Sequence, residues 1–184
     1  MAKKHDDVPS HTMELPRLIV IGNNNIGDVG KFLKSLDSPQ KVSLVSGTHV
    51  KKLIQKKIER SLASSQIKFV WHIASDNSVG AIRKFQNKVS EDNSHMIIGI
   101  GGGRSVDIAK MIAFNLKRPF VSIPTSASHD GIASPFVSIQ GNKPHSVVAT
   151  APLGVFVDIE IIKKAPRKLL ASGCGDLVAN LIAV

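Results

Sequence analysis

Three consecutive glycines between an apolar segment and a helical pattern form the strongest chemical signal in this sequence. The turn reads Gly-Gly-Gly-Arg-Ser-Val-Asp over Gly101–Asp107. Glycines let the main chain approach a ligand closely and adopt positive φ angles. The helix that follows offers free N–H groups and the positive end of its dipole, which suit a pyrophosphate. A plain strand-to-helix turn is the alternative, but three glycines in a row favour a ligand.

A polar loop, Pro124–Ser134, follows the fifth predicted strand. Open α/β sheets bind ligands at the carboxyl ends of their strands. The loop hydroxyls suit hydrogen bonds to a nicotinamide amide, a ribose or a phosphate, and an ordinary Ser/Thr turn is the alternative. The hydroxyls together with Asp130 favour a functional loop. His129 by itself is ambiguous and is not assigned as a ligand.

The third candidate is Asp176, which follows Gly173-Cys174-Gly175 where the last helix is predicted to open. An aspartate at a helix N-terminus is more often a cap than a metal ligand. The residue alone therefore favours a cap.

Two further strand ends bear on nucleotide binding. The second predicted strand ends in Ser46-Gly47-Thr48 rather than in an acid, and Lys51 and Lys52 are close by. An acid at this place bonds the ribose 2′-hydroxyl and repels a 2′-phosphate, so its absence predicts tolerance of NADPH as well as NADH. The turn Gly22–Gly27 lacks the Lys-Ser/Thr ending of a phosphate loop and is interpreted mainly as a connection.

Short apolar runs alternate with segments of helical period to position these residues. The first five predicted strands are Arg17–Gly22, Lys41–Ser46, Lys68–Ala74, Met96–Ile100 and Phe120–Ile123. The four helices between them are predicted over Asn25–Leu36, Thr48–Ser64, Ser78–Ser90 and Ser105–Leu116, with Thr48 and Ser78 as N-caps. This alternation requires crossover connections, so we expect a Rossmann-like α/β domain whose parallel sheet is covered on both faces.

The alternation of short apolar runs with helical segments ends after Pro124. Phe136–Gln140 and Ser146–Ala149 around Gly141-Asn142 predict a hairpin, Gly154–Asp158 predicts one more strand, and a helical pattern follows. We expect a disordered tail over residues 1–12 and a dinucleotide-binding α/β domain over residues 13–163. Residues 164–184 are expected to be the start of a helical metal and substrate domain, in which the last helix stops without a cap.

Bulk composition excludes several classes of protein. No apolar run approaches the ~20 residues that span a bilayer, so no membrane insertion is predicted. The first residues are polar and lack the apolar core of a signal peptide, which predicts a cytoplasmic protein. The only cysteine, Cys174, fits a reducing compartment. The formal charge of +10 is spread over helix faces, and one Trp and no Tyr leave little base-stacking surface, so nucleic-acid binding is a weak alternative.

Three blocks together resemble a known family. GGGRSVDIAK at Gly101–Lys110, IPTSASHDGIASP at Ile123–Pro135 and GCGDLVAN at Gly173–Asn180 are similar, in order and separation, to sn-glycerol-1-phosphate dehydrogenases of archaeal type. These enzymes belong to the iron- or zinc-dependent superfamily of glycerol dehydrogenase and dehydroquinate synthase. Other members share the glycine turn but differ in the His-Asp-Gly loop.

The resemblance implies an oxidoreductase that uses NAD(P)H to reduce dihydroxyacetone phosphate to sn-glycerol 1-phosphate, for archaeal phospholipid synthesis, as a homo-oligomer. The residues that it assigns to the dinucleotide are Gly101, Gly102, Gly103, Arg104, Ser105, Val106, Asp107, Thr125, Ser126, Ala127, Ser128 and Ser134. By the same resemblance, Asp130 faces the substrate, and Asp176 is the catalytic residue, a neighbour of the substrate and one of three protein ligands of a catalytic zinc.

Such a metal would polarise the ketone oxygen while hydride reaches the carbonyl carbon. The sequence departs from the family at this metal site. The two histidine ligands that the resemblance implies are absent from these 184 residues, and no other His replaces them by motif. We therefore expect the polypeptide by itself to be inactive.

Two other interpretations stay open. A related enzyme would act on free glycerol or another polyol, and the phosphate requirement separates the two. A nucleotide-binding module without chemistry is the other, and the uncapped apolar helix at the end argues against it.

Overall fold

The computed structural model describes residues 14–182, except 75, 77 and 140–144. The predicted tail over residues 1–12 and the predicted hairpin turn at Gly141-Asn142 lie outside the described residues. Within the described part of the chain, no helix is long and apolar enough to cross a membrane.

Six strands form one parallel sheet in the order β1-β8-β5-β4-β2-β3, and β6 and β7 form an antiparallel pair. The strands are β1 Leu18–Gly22, β2 Lys41–Ser46, β3 Lys68–Ile73, β4 Met96–Gly101, β5 Phe120–Pro124, β6 Phe136–Ile139, β7 His145–Val148 and β8 Gly154–Asp158. The central strands β4, β5 and β8 are buried along their whole length, as apolar strands under helices on both faces must be. The predicted α/β class and parallel sheet are confirmed.

Helices cover both faces of this sheet. They are α1 Val29–Leu36, α2 Thr48–Ser64, α3 Val79–Glu91, α4 Gly103–Leu116, α5 Ile159–Ile162 and α6 Arg167–Ile182, with short 3-10 turns at Ile26–Asp28 and Asp130–Ile132. On one face, α1 and α2 bury Phe32, Leu33 and Ile58 against the sheet. On the other, α3 and α4 bury Val89 and Ile112. The two apolar clusters fix the sheet between two helical layers.

One predicted N-cap and one predicted helix start are wrong. Gly47, not Thr48, is the N-cap of α2 and no side chain caps that helix, whereas Ser78 caps α3 as predicted, with its Oγ accepting the N–H of Ala81 at 3.4 Å. Helix α4 begins at Gly103, two residues earlier than predicted. The third glycine of the turn is therefore already helical.

The largest correction concerns the last helix, α6. It begins at Arg167 and runs through Gly173, Gly175 and Asp176, so these residues do not open it. Pro166 immediately precedes α6, and a proline suits the start of a helix because its missing N–H has no partner there in any case. Asp176 lies in the second half of α6, so the interpretation of its carboxylate as a cap is wrong.

Candidate functional site

The sheet has its topological switch point between β2 and β4. From β2 the chain leaves through α2 on one face toward β3, and from β4 it leaves through α4 on the other face toward β5. The two turns diverge and leave a crevice at the carboxyl ends of the strands, where α/β sheets bind ligands. The turn after β2 and the turn after β4 are close to each other. A Cβ added to Gly47 would lie 3.9 Å from Oγ of Ser105.

A cavity of about 260 Å³ occupies this crevice. Gly102 of the glycine turn, Thr125 and Ser126 of the polar loop, and His49 near the start of α2 contribute to its wall. The connection between α5 and α6 forms the opposite side. The structure therefore brings together the glycine turn and the polar loop that the sequence predicted separately.

The glycine turn requires its glycines for a conformational and a steric reason. Gly101 has φ +147, which side chains rarely allow. A Cβ on Gly102 would lie 3.2 Å from Oγ of Ser126, and one on Gly103 would overlap Nε2 of His129. Gly102 is the N-cap of α4 and has no side chain that could bond the first turn of that helix. The N–H groups of this first turn are the ones that can bind an anion.

The polar loop is attached to the glycine turn and carries unused hydroxyl groups. The N–H of Thr125 donates to the carbonyl oxygen of Gly101 at 2.9 Å. Ser126 is 3% exposed, and Oγ of Ser126 and Oγ of Ser134 are buried without a hydrogen-bond partner among the described residues. An unpaired buried hydroxyl is costly unless a ligand or water completes it. Both serines belong to the set that the resemblance assigns to the dinucleotide.

A second cavity, of about 240 Å³, lies between the polar loop and α6. Its walls include His129, Asp130, Cys174 and Asp176. The main-chain N–H of Asp130 donates to Oδ2 of Asp176 at 2.8 Å, although 46 residues separate the two. This contact places the two predicted substrate residues side by side.

His129 lies where the glycine turn and the polar loop meet. Its Nδ1 accepts the N–H of Gly131 at 2.9 Å, and its Nε2 faces Gly103. An accepting Nδ1 places the proton of a neutral imidazole on Nε2. The sequence left this histidine unassigned, and the structure places its ring against the first residue of α4.

Asp107 and Lys110 turn away from solvent on the inner side of α4. Asp107 is 5% exposed and Lys110 is 0% exposed. Oδ2 of Asp107 accepts the N–H of Ser138 at 3.2 Å, and Oδ1 has no partner among the described residues. Burial raises the pKa of Asp107, and burial lowers the pKa of Lys110 to about 8. The sequence did not predict a role for Lys110, because one lysine in a helical pattern resembles a solvated surface residue.

The end of β2 carries no acid. Ser46 is fully buried, and its Oγ accepts the indole N–H of Trp71 at 2.7 Å. Nζ of Lys51 lies 5.4 Å from the centre of the Trp71 ring, a cation–π distance, and Lys52 is exposed. No described residue at this strand end therefore supplies the carboxylate that selects NADH.

The first glycine-containing turn, Gly22–Gly27, is occupied by a side chain of this protein. The carboxylate of Asp158 accepts the N–H groups of Asn24 at 3.0 Å and Ile26 at 2.9 Å. It is 2% exposed and also accepts the N–H of Glu160 at 3.0 Å at the start of α5. These amides are thus used inside the protein, in agreement with the interpretation of the turn as a connection.

The described residues do not form a metal site by themselves. No group of three His, Cys, Asp or Glu side chains in residues 14–182, with the gaps given above, is arranged to hold a metal ion. Asp176 offers one carboxylate, whereas a catalytic zinc typically takes three protein ligands. The described donor set does not fit a bound metal.

Comparisons with known proteins agree with this fold. Residues 20–166 match the family described as iron-containing alcohol dehydrogenase. A glycerol dehydrogenase from Schizosaccharomyces pombe has a similar solved structure, with a TM-score of 0.85 and 23% identity over 94% of this chain and 45% of that one. At this identity the likeness concerns the fold alone.

Two curated relatives are more similar in sequence, and both are named glycerol-1-phosphate dehydrogenase, NAD(P)+. The protein of Nitrosopumilus maritimus strain SCM1 is 63% identical over all of this chain and 52% of its own length. That of Cenarchaeum symbiosum strain A is 65% identical over 97% of this chain and 51% of its own length. The chain thus spans about half the length of these relatives. Because the family match covers most of its residues, the chain belongs to the iron-containing alcohol dehydrogenase family.

Proposed function

We propose that this chain supplies the dinucleotide site and part of the substrate site of an enzyme that reduces dihydroxyacetone phosphate to sn-glycerol 1-phosphate with NADH or NADPH. In this proposal the reaction takes place in the cytoplasm and serves archaeal membrane-lipid synthesis, and the enzyme is a homo-oligomer. Residues 13–163 form the dinucleotide domain and residues 164–184 belong to a helical metal and substrate domain.

One observation carries the proposal. Two cavities border the polar loop, one at the glycine turn, lined by Thr125 and Ser126, and one lined by Asp130 and Asp176. A dinucleotide bound in the first cavity would bring its reactive end toward a substrate in the second. Hydride transfer needs such adjacent sites, because the donor and acceptor carbons must approach closely. The names of the two curated relatives support the choice of substrate.

The proposed metal chemistry requires more than these residues. In the proposal Asp176 contributes one ligand of a zinc ion, together with two histidines outside the 184 residues. The zinc would supply polarisation of the substrate ketone. The described residues of the chain bind the dinucleotide, orient the substrate through Asp130 and hold the Asp176 carboxylate in place through the Asp130 N–H.

A chimera tests the activity directly. Residues 1–184 are joined to the portion of the Nitrosopumilus maritimus relative that this chain does not cover, and NADPH oxidation is measured with dihydroxyacetone phosphate, dihydroxyacetone and no ketone. Turnover that requires the phosphate supports the proposal. Equal turnover of dihydroxyacetone would indicate a polyol dehydrogenase, and absence of turnover in a folded chimera would contradict the proposal.

The 184-residue polypeptide without a partner segment is expected to show no ketone-dependent NADPH oxidation. One carboxylate cannot hold zinc tightly, so the metal-assisted step has no metal. The assay uses the same substrates, with added Zn²⁺, and bound zinc is quantified after desalting. Clear turnover or stoichiometric zinc in the polypeptide would refute this expectation.

Cofactor choice gives a sharper prediction at the end of β2. The wild-type chain should bind NADPH and NADH with dissociation constants within about 10-fold of each other. Gly47→Asp should weaken NADPH binding by about 10-fold or more and leave NADH binding nearly unchanged, because the new carboxylate repels a 2′-phosphate. Gly47 has extended φ and ψ angles, and its added Cβ meets nothing closer than 3.9 Å, so the fold tolerates the change.

Gly47→Asn is the matched control, because it has nearly the same shape without the charge. Nucleotide fluorescence titrations on the three proteins compare the two cofactors. Strict NADH selectivity of the wild-type chain, or equal losses of NADPH affinity in Gly47→Asp and Gly47→Asn, would count against this prediction.

A further inference from the structure

Lys110 is a fully buried lysine whose ammonium group bonds only to main-chain oxygens of the loop that follows the candidate substrate residue. Its Nζ donates to the carbonyl oxygens of Gly131 at 2.6 Å, Ser134 at 2.6 Å and Phe136 at 2.8 Å. An ammonium has three donors and no acceptor, so all of its hydrogens are used. The three acceptors lie within six residues of one another in the chain.

These bonds matter because the middle of the loop, after the 3-10 turn Asp130–Ile132 and before β6, has no regular structure. Its main-chain hydrogen bonds there are short-range, from the N–H groups of Ala133 and Ser134 to the carbonyl oxygen of Asp130, and a long-range one reaches only Pro135, whose carbonyl oxygen accepts the N–H of Ala149 at 2.9 Å. Buried carbonyl groups need a donor, and a charged donor forms the stronger hydrogen bonds. Lys110 supplies that donor from α4.

The charge of Lys110 is used on the loop and not in an ion pair with its neighbour on α4. Asp107, one turn earlier, and Asp130 both favour the charged form and oppose the burial that lowers the pKa of Lys110 to about 8. No ion pair within 4.0 Å joins Lys110 to either aspartate. A lysine with a pKa near 8 still carries its proton in most molecules at neutral pH.

We propose that Lys110 is a positioning residue that holds the substrate loop, defined here as residues 130–136, in the conformation that presents Asp130 to the substrate. The role of Asp130 rests on the proposed function, whereas the contacts of Lys110 with the loop do not. Because α4 begins at the glycine turn, one rigid helix holds both the dinucleotide turn and the substrate loop. Because all three acceptors belong to this one loop, the hydrogen bonds of Lys110 join the loop to α4.

The first test measures the loop without any assay of activity. In the 184-residue polypeptide, Lys110→Met keeps the length of the side chain and leaves three carbonyl groups without their donor. Amide hydrogen exchange, followed by mass spectrometry at one pH, should become at least about 10-fold faster in residues 130–136 and stay unchanged in β2 and β4. Lys84→Met, which removes an exposed charge on α3, is the control and should leave the loop unchanged.

Unchanged loop exchange in folded Lys110→Met would overturn the proposal, and so would an equal increase throughout the chain. If Lys110→Met does not fold, NMR of the wild-type polypeptide tests the proposal instead, by measuring how fast the hydrogens of the lysine ammonium groups exchange with water. A Lys110 ammonium that exchanges slowly with water, unlike that of Lys84, supports the proposal. Fast exchange at Lys110 would overturn it, because three retained hydrogen bonds must slow the exchange.

The second test separates positioning from the proposed activity. In the chimera, Lys110→Met should raise the KM for dihydroxyacetone phosphate about 10-fold or more and change the dissociation constant of NADPH by less than about 3-fold. If KM for dihydroxyacetone phosphate and the dissociation constant of NADPH rise together, or if neither changes, a role in positioning the substrate loop is contradicted. A folded chimera that does not reduce the ketone disproves the proposed function. In that case the hydrogen-exchange experiment on the 184-residue polypeptide still tests the role of Lys110.

Discussion

Replacing Gly103 with alanine is expected to weaken NADPH binding by at least about 10-fold. A Cβ at this position would overlap Nε2 of His129. The imidazole can turn away only by giving up the hydrogen bond that its Nδ1 accepts from the N–H of Gly131. Either the first turn of α4 moves or the imidazole loses this contact with the polar loop, and both changes disturb the surroundings of the anion-binding N–H groups. Fluorescence titration of NADPH into the 184-residue polypeptide measures the effect.

Gly80→Ala is the matched control for this prediction. Gly80 lies in α3, and an added Cβ there meets nothing within 4 Å. Alanine in a helix is more favourable than glycine by roughly 0.5–1 kcal/mol, so the control should be at least as stable as the wild type and bind NADPH equally. Wild-type affinity in Gly103→Ala would show that the diphosphate does not bind at this turn.

The second large effect is expected at the contact between α6 and the polar loop. A Cβ on Gly173 would overlap the carbonyl oxygen of Ala127 and lie 3.0 Å from its carbonyl carbon. These are main-chain atoms that no rotamer change can remove, so Gly173→Ala must shift α6. The shift breaks the 2.8 Å hydrogen bond from the N–H of Asp130 to Asp176. In the chimera, kcat/KM for dihydroxyacetone phosphate should fall about 100-fold, as misplacement by about 1 Å can cause.

The same helix offers the control for this experiment. Gly175 is two residues further along α6, and an added Cβ there meets nothing within 4 Å. Gly175→Ala should therefore retain kcat/KM within about 3-fold of the wild type. Circular dichroism and thermal unfolding establish that both variants are folded. Equal activity of the two variants would mean that the close approach of α6 does not position Asp176 for the reaction.

Local patterns were sufficient to predict most of the sheet. The bounds of β2, α2 and β8 were predicted to the residue, because each lies between clear breaks in hydrophobic period. The parallel arrangement followed from the alternation of strands and helices, since consecutive parallel strands need crossover connections. The glycine turn was predicted as an anion site because its signal is contained in seven neighbouring residues.

The predictions failed where the deciding partner is distant in sequence. Gly173 and Gly175 suggested the start of a helix, although α6 runs through both. A glycine inside a helix costs only about 1 kcal/mol, and tertiary contacts readily offset that cost. Gly173 makes room for the carbonyl oxygen of Ala127, a contact that no local pattern contains. Thr48 failed as a cap because the chain turns into α2 at Gly47.

The sequence by itself determined the class of fold, the order of the strands along the chain and the types of residue at the glycine turn and the polar loop. Only the tertiary structure decided which of them meet. It placed Asp130 against Asp176 and buried Lys110 under the substrate loop. The physical reason is that secondary structure depends on neighbours within a few residues, whereas burial and hydrogen bonding of a polar side chain depend on whichever segment packs over it.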